Sequence, residues 1–298
     1  VIADNSDSTV YHYTGRFAPS PSGPLHSGSL LAALASFVDA RHRAGHWLVR
    51  MEDLDPPREM PGADRHILTT LERHALHWDG EVLYQSSRHA RYREVLADLQ
   101  ARRLAYRCVC SRARLLTLNH AYDGYCRTHI PPGDQPCSIR LQLPDETVRF
   151  TDRIQGLQQQ DLTLGGDCII HRKDGLYAYL LAAVVDDIEQ GVTDVVRGSD
   201  ILESTGRQIY LTRLLGGRAL RYAHIPVMLG ADGQKLSKQN HAPALDDAQP
   251  SRNLYEALNT LGQDPPSELK HEAPETIVKW AVTHWDINVI PKMAAVTA

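Results

Sequence analysis

The sequence has no run of apolar residues long enough to cross a bilayer. Residues 1–9 are polar and acidic, without the basic start and apolar centre of a secretory signal. Membrane-spanning and secreted classes are thereby set aside, and the chain is expected in the cytoplasm. Cysteine is scarce: five in 298 residues, an odd number, does not make a disulfide framework. An excess of positive charge is also missing. The net charge of −4 argues against indiscriminate nucleic-acid binding and leaves only local runs such as Arg41-His42-Arg43 and Arg102-Arg103, which read equally well as solvated helix surface. What remains, 42% hydrophobic and 23% charged, is ordinary globular composition, enough for a large core or two lobes.

One stretch organises the chain. An extended run from Tyr11 to Phe17 enters Ala18-Pro19-Ser20-Pro21-Ser22-Gly23-Pro24-Leu25-His26-Ser27-Gly28-Ser29, and a long apolar-striped segment begins at Leu30. The order predicts strand, tight turn, helix, because Pro19, Pro21 and Pro24 continue neither a helix nor a central strand, while Gly23 and Gly28 let backbone approach a ligand. The helix then aims free N–H groups and the positive end of its dipole above the turn, a seat for a nucleotide phosphate. Leu30, Leu34, Phe37 and Val38 share one helical face, Gly45 is a plausible stop, and Trp47 to Met51 reads as a buried strand. That unit predicts a doubly wound α/β sheet whose ligands sit beyond the carboxyl ends of the strands, where Glu52 falls.

Helical segments are expected over 62–78 and 88–103. Past Leu104 short strands and turns take over, Ser138 to Leu143 and Thr147 to Asp152 among them, up to about Asp174. Cys108, Cys110 and Cys126 place three thiols within nineteen residues, which favours a structural Zn²⁺ needing four ligands in a closed tetrahedron. Tyr122 is one choice for the fourth, and a phenol needs the metal itself to drive off its proton; His120 and His129 are chemically easier. Cys137 and Cys168 read as core or loop residues.

The opening stretch resembles the signature of class I aminoacyl-tRNA synthetases in its glutamyl form, R-F-A-P-S-P-x-G-x-L-H-x-G. His26-Ser27-Gly28-Ser29 stands at the HIGH position, with the first His and the Gly kept and the last His replaced. Further matches are Met51-Glu52-Asp53-Leu54-Asp55, Leu83-Tyr84-Gln85-Ser86 at the family's Tyr-x-Gln-Ser run, Cys108-x-Cys110 with Tyr122 and Cys126, Tyr179 with Asp186-Asp187, Val196-Arg197-Gly198-Ser199-Asp200, and Lys235-Leu236-Ser237-Lys238-Gln239 at the KMSKS position. The resemblance covers Arg16 to about Asn253.

It implies a Rossmann-like catalytic domain in two halves, 1–104 and 175–250, around a zinc-containing insertion at 105–174 where the family binds an acceptor end, with a short helical segment at 251–298. It implies ATP with Mg²⁺ as substrate, held by His26, Gly28 and Lys238, and His26, Gly28, Lys235 and Lys238 as catalytic residues, with Lys238 first and Lys235 second as the cations meeting charge on the phosphates. Arg16, Ala18, Ser20, Tyr179 and Arg197 would surround the carboxylates of L-glutamate while Glu52 takes its ammonium, and it makes Tyr122 the fourth zinc ligand. Only 60 residues follow Lys238, too few for the family's anticodon-reading region. The likeness is therefore strongest to truncated paralogues, expected as monomers, that attach glutamate to the queuosine base in the anticodon of tRNA(Asp). A minimal glutamyl-tRNA synthetase loading tRNA(Glu), or a non-catalytic RNA-binding relative, are the alternatives.

Overall fold

The computed structural model describes residues 12–118, 121–133, 135–230, 243–292 and 295–297. Strand β1 (Thr14–Phe17), helix α1 (Ser27–His42) and strand β2 (His46–Met51) form the first strand-helix-strand unit, with β1 and β2 parallel and Arg16 opposite Leu48. The helix starts three residues earlier than its apolar stripe, because His26 caps it: the ring Nδ1 accepts from Ser29 N–H at 3.3 Å. It ends before Gly45, as expected, and the Gly45 N–H closes the turn on the Ala40 carbonyl at 2.9 Å. Ala44, with φ 51°, takes the left-handed position, and Gly45 serves close packing instead, since a Cβ there would lie 2.6 Å from the Tyr13 carbonyl oxygen.

Helix α2 (Ala63–Arg73), the two-residue strand β3 (Leu83–Tyr84) and helix α3 (His89–Ala101) follow, β3 pairing parallel to β2. The next segment holds β4 (Ala105–Cys108), short helices α4 (Arg112–Thr117) and α5 (Tyr125–Thr128), then β5 (Ser138–Leu141), β6 (Thr147–Asp152), β7 (Gly156–Asp161) and β8 (Cys168–His171). Helix α6 (Tyr179–Glu189), β9 (Asp194–Gly198), α7 (Thr205–Leu214) and β10 (Arg221–Ile225) form the second strand-helix-strand unit. Near the end, Pro250–Thr260 (α8) and Pro274–His284 (α9) pack on α1, and the Trp285 indole N–H bonds Asp39 at 3.1 Å.

The halves meet where β1 runs beside β9. Thr193 N–H bonds the Thr14 carbonyl at 2.9 Å and Thr14 N–H bonds Thr193 Oγ1 at 2.9 Å. This is the point where the strand order reverses, the usual ligand crevice of an open α/β sheet. One result could not be read from spacing: β6 and β7 do not stay with their sequence neighbours β4, β5 and β8, which form a separate antiparallel sheet. They join β10 and β9 in the order β7-β6-β10-β9, with Asp152 opposite Tyr222. Two cores result. One wraps Leu30, Leu34, Phe37, Trp47, Leu258 and Ile277 around α1; the other joins Tyr92, Leu99, Leu141, Val148, Leu181 and Leu211. None of the helices among the described residues is long and apolar enough to cross a membrane.

Candidate active site and cysteine cluster

The carboxyl ends of β1 and β2 converge on α6. Arg16, on β1, is buried and its Nε donates to Asp187 Oδ1 at 3.2 Å; Arg50, on β2, is fully buried and its Nη1 donates to the same oxygen at 2.8 Å and to Gln190 Oε1 at 2.8 Å. Asp187 thus lies between two guanidinium groups. Burial by itself would raise its pKa, yet Arg16 and Arg50 hold it below the ordinary carboxylate range. Its neighbour Asp186 faces the other way and accepts from Gln85 Nε2, Tyr92 Oη and Arg88 Nε, each at 2.7 Å, tying α6 to α3.

Glu52 stands one residue past β2, its N–H bonded to the Pro19 carbonyl at 2.9 Å, which fastens the strand end to the proline loop. Arg50 Nη2 approaches its Oε1 to 3.5 Å, but among the described residues that buried oxygen has no hydrogen-bond partner. Burial pushes the Glu52 carboxyl up to about 7, against the pull of Arg50 and Arg16. Arg50 Nε and Nη2 are likewise without hydrogen-bond partners among the described residues, so the two groups form a loose ion pair, and the Glu52 carboxylate at the cavity wall keeps acceptor capacity for a ligand that donates. Glu52, Ser20 and Tyr179 line one cavity of about 290 Å³, together with Gln85, Arg172 and Tyr177. Ala18 is half-buried on the loop between Arg16 and Ser20.

Arg197 is not part of that cavity lining but meets Tyr179, which is, Arg197 Nη1 donating to Tyr179 Oη at 3.4 Å. Arg197 is itself anchored: Nη2 donates to Thr205 Oγ1 and Nε to His224 Nε2, both at 2.9 Å, and its guanidinium lies over the Tyr222 ring at 5.5 Å. His26 and Gly28 sit together at the start of α1, where a Cβ on residue 28 would press to 3.1 Å of the His26 ring. Lys235 and Lys238 lie outside the described residues.

Asp187 and Arg50 are site-shaping residues that the sequence reading passed over. In the sequence Asp187 stands in the Asp186-Asp187 match with no role attached, and Arg50 falls within a buried strand. The available signal was chemical: a carboxylate on a buried helix face and an arginine in an otherwise apolar strand both demand partners.

The cysteine cluster is formed by the end of β4 and by α5. The Sγ atoms of Cys108, Cys110 and Cys126 all lie within 4.8 Å of one another, Cys110 and Cys126 at 3.5 Å. Tyr122 Oη is 3.6 Å from Cys108 Sγ and accepts the Cys126 N–H at 2.9 Å. Zn–S bonds of about 2.3 Å place the sulfurs of a tetrahedron roughly 3.8 Å apart, so this donor set fits zinc. Arg140 Nε, 3.2 Å from Cys108 Sγ, and Arg114 Nη1, 3.6 Å from Cys110 Sγ, supply outer hydrogen bonds of the kind that support thiolates. His129 is exposed and stacked on Tyr125 at 4.0 Å, outside the cluster, and His120 lies outside the described residues. Cys137 and Cys168 pack at the edge of the second core.

Comparison with known proteins adds an independent line. Residues 13–262 match the family of class I tRNA synthetases (E and Q), catalytic domain. A protein of Ectopseudomonas mendocina (strain ymp) named glutamyl-Q tRNA(Asp) synthetase is 51% identical over 281 residues, covering 94% of this chain and 95% of its own length. The protein of that name in Escherichia coli (strain K12) is 50% identical over 294 residues, covering 98% of this chain and 95% of its own. A solved glutamate tRNA ligase from Elizabethkingia meningosepticum CCUG26117 superposes with a TM-score of 0.79 at 24% identity, over 96% of this chain and 67% of that one, a likeness of fold.

Proposed function

Because the chain belongs to the class I tRNA synthetases for glutamate and glutamine, and is therefore a ligase, we propose that it activates L-glutamate with ATP as glutamyl-adenylate and transfers the glutamyl group to the queuosine base in the anticodon of tRNA(Asp). The name shared by relatives about half identical over nearly their whole length supports the acceptor. The observation that carries the amino-acid half is the buried Glu52 Oε1 without a hydrogen-bond partner, in the cavity that Ser20 and Tyr179 also line.

A free amino acid's ammonium supplies the donors that Glu52 lacks. Tyr179 and Arg197 then present donors to a carboxylate, with Arg16 held nearby by Asp187. Two anions and one cation on the substrate meet the opposite set on the protein, and glutamine, with an amide in place of one carboxylate, would face donors with an NH₂ group. In the first step a carboxylate oxygen of glutamate attacks the α-phosphorus of ATP and pyrophosphate leaves. His26 and Gly28 are proposed to receive the phosphates at the start of α1, and Lys235 and Lys238 to neutralise the charge that grows there. In the second, a hydroxyl of the modified base attacks the carbonyl carbon, its proton is lost and AMP leaves with the bonding pair.

Cys108, Cys110, Cys126 and Tyr122 are proposed to hold a structural Zn²⁺, which when bound cross-links β4 to α5 and takes no part in the reaction. The cytoplasm is proposed as its compartment, since ATP and tRNA are both available there. The test is to incubate enzyme, ATP and labelled glutamate with tRNA(Asp) carrying or lacking queuosine, beside tRNA(Glu), and to map the attachment by nuclease digestion and mass. Label on the queuosine-bearing anticodon fragment is expected. Label on the terminal adenosine of tRNA(Glu), with none on that fragment, would overturn the acceptor.

A further inference from the structure

Three polar residues meet across adjacent strands: Arg197 on β9 and His224 opposite it on β10, with Asp152, at the end of β6 and opposite Tyr222, reaching His224 diagonally. All three are buried, His224 completely. His224 Nδ1 lies 2.6 Å from Asp152 Oδ2, and its Nε2 lies 2.9 Å from Arg197 Nε. A guanidinium Nε–H can only donate and a carboxylate can only accept. The imidazole between them must therefore be neutral, with its proton on Nδ1 and its lone pair on Nε2 toward Arg197. Burial holds the His224 pKa below its ordinary value, in accord with a neutral ring.

We propose that Asp152 is a positioning residue for substrate binding: by fixing the His224 tautomer it aims the Arg197 guanidinium at glutamate. Asp152 is itself locked in orientation. Its Oδ1 accepts the N–H groups of Ile154 at 3.0 Å, Gln155 at 2.9 Å and His224 at 3.1 Å, which leaves Oδ2 alone for the ring. The row also crosses the chain's organisation, since β6 comes from the stretch between the two nucleotide-binding halves while Arg197 and His224 come from the second. The inference rests on the reading that Arg197 faces glutamate.

Asp152→Asn is the sharp perturbation. The three backbone donors keep the amide oxygen in the Oδ1 position, so the NH₂ group must face His224 Nδ1 and force the proton to Nε2, where it opposes the Arg197 Nε–H. Glutamate-dependent pyrophosphate exchange is measured for the wild type, Asp152→Asn and Arg197→Ala, with KM determined separately for glutamate and ATP. The expected result is a rise of tenfold or more in the glutamate KM of Asp152→Asn with the ATP KM within about twofold, consistent with losing a hydrogen bond to a charged group. A glutamate KM raised in Arg197→Ala but unchanged in Asp152→Asn overturns the inference alone. An unchanged glutamate KM in Arg197→Ala overturns the underlying reading of the site. The tautomer is checked without any variant by ¹⁵N spectroscopy of ring-labelled wild-type protein: a proton on Nε2 of His224 at neutral pH rules the proposal out, even if Asp152→Asn does not fold.

Discussion

Glutamate binding should depend on pH in a range where an ordinary carboxylate would be silent. On the proposed reading an ammonium is bound by the ionised form of Glu52, and in the free protein burial holds that carboxyl at about 7, so below neutrality binding must first expel a proton. Apparent affinity then weakens by about tenfold between pH 8 and pH 6, whereas a carboxyl at its reference value of about 4.3 would change it by only a few per cent. His224, Asp152 and Asp187 all have pKa values held below their ordinary ones and contribute little across this window. The assay is the glutamate KM in pyrophosphate exchange from pH 6 to 8 at saturating ATP, with Glu52→Gln as the variant that should be weaker and flat. The same group acts on stability. Its folded pKa is raised, so its contribution is full below the unfolded value and is lost as pH rises through about 7, a loss of about 3 kcal/mol at most. Glutamate offsets that loss by supplying the missing donor, and the thermal shift it produces should grow from pH 6 to pH 8. A glutamate KM that stays level over this range in the wild type would refute the reasoning.

Asp187→Asn leaves Arg16 and Arg50 buried around a neutral amide and should cost about 3–5 kcal/mol, read by chemical denaturation. Purified protein should carry one zinc per chain by metal analysis, and Cys110→Ser should lose it together with a measurable drop in melting temperature; full zinc content in that variant would remove Cys110 from the ligand set. Adjacent substitutions after α1 should have opposite signs. Gly45→Ala should destabilise by about 1–3 kcal/mol, because its Cβ meets the Tyr13 backbone at 2.6 Å. Ala44→Gly should stabilise by about 0.5–1 kcal/mol, because glycine relieves a φ of 51°. Thermal melts of both decide it.

Much of the candidate site's local structure was legible because it is written in local runs. The prolines and glycines from Pro19 to Gly28 dictate a turn between strand and helix wherever they occur, and Cys108, Cys110 and Cys126 lie close enough in sequence to meet without a long chain excursion. The strand over Trp47 to Met51 was readable from its apolar content, and Glu52 from being the first carboxylate past its end. The end of α1 before Gly45 was readable too, but that Ala44 takes the left-handed conformation, and that the glycine makes room for Tyr13, only the packing shows.

What the sequence by itself determined is the set of parts: the α/β alternation, the order of the signatures, the thiol cluster and the charges suited to an amino acid. Only the tertiary structure decided which of those charges neutralise one another. Arg16 reads along the chain as a free cation, and 171 residues separate it from Asp187, which it reaches at 3.2 Å. Asp152 lies 72 residues before His224, yet the two are neighbours because β6 leaves its own stretch to pair with β10. The physical reason is one of range: turn and helix preferences act within a few residues, whereas the pairing of buried charges and the lateral order of strands are set by how distant segments pack, where each unpaired buried charge is costly and so selects its partner.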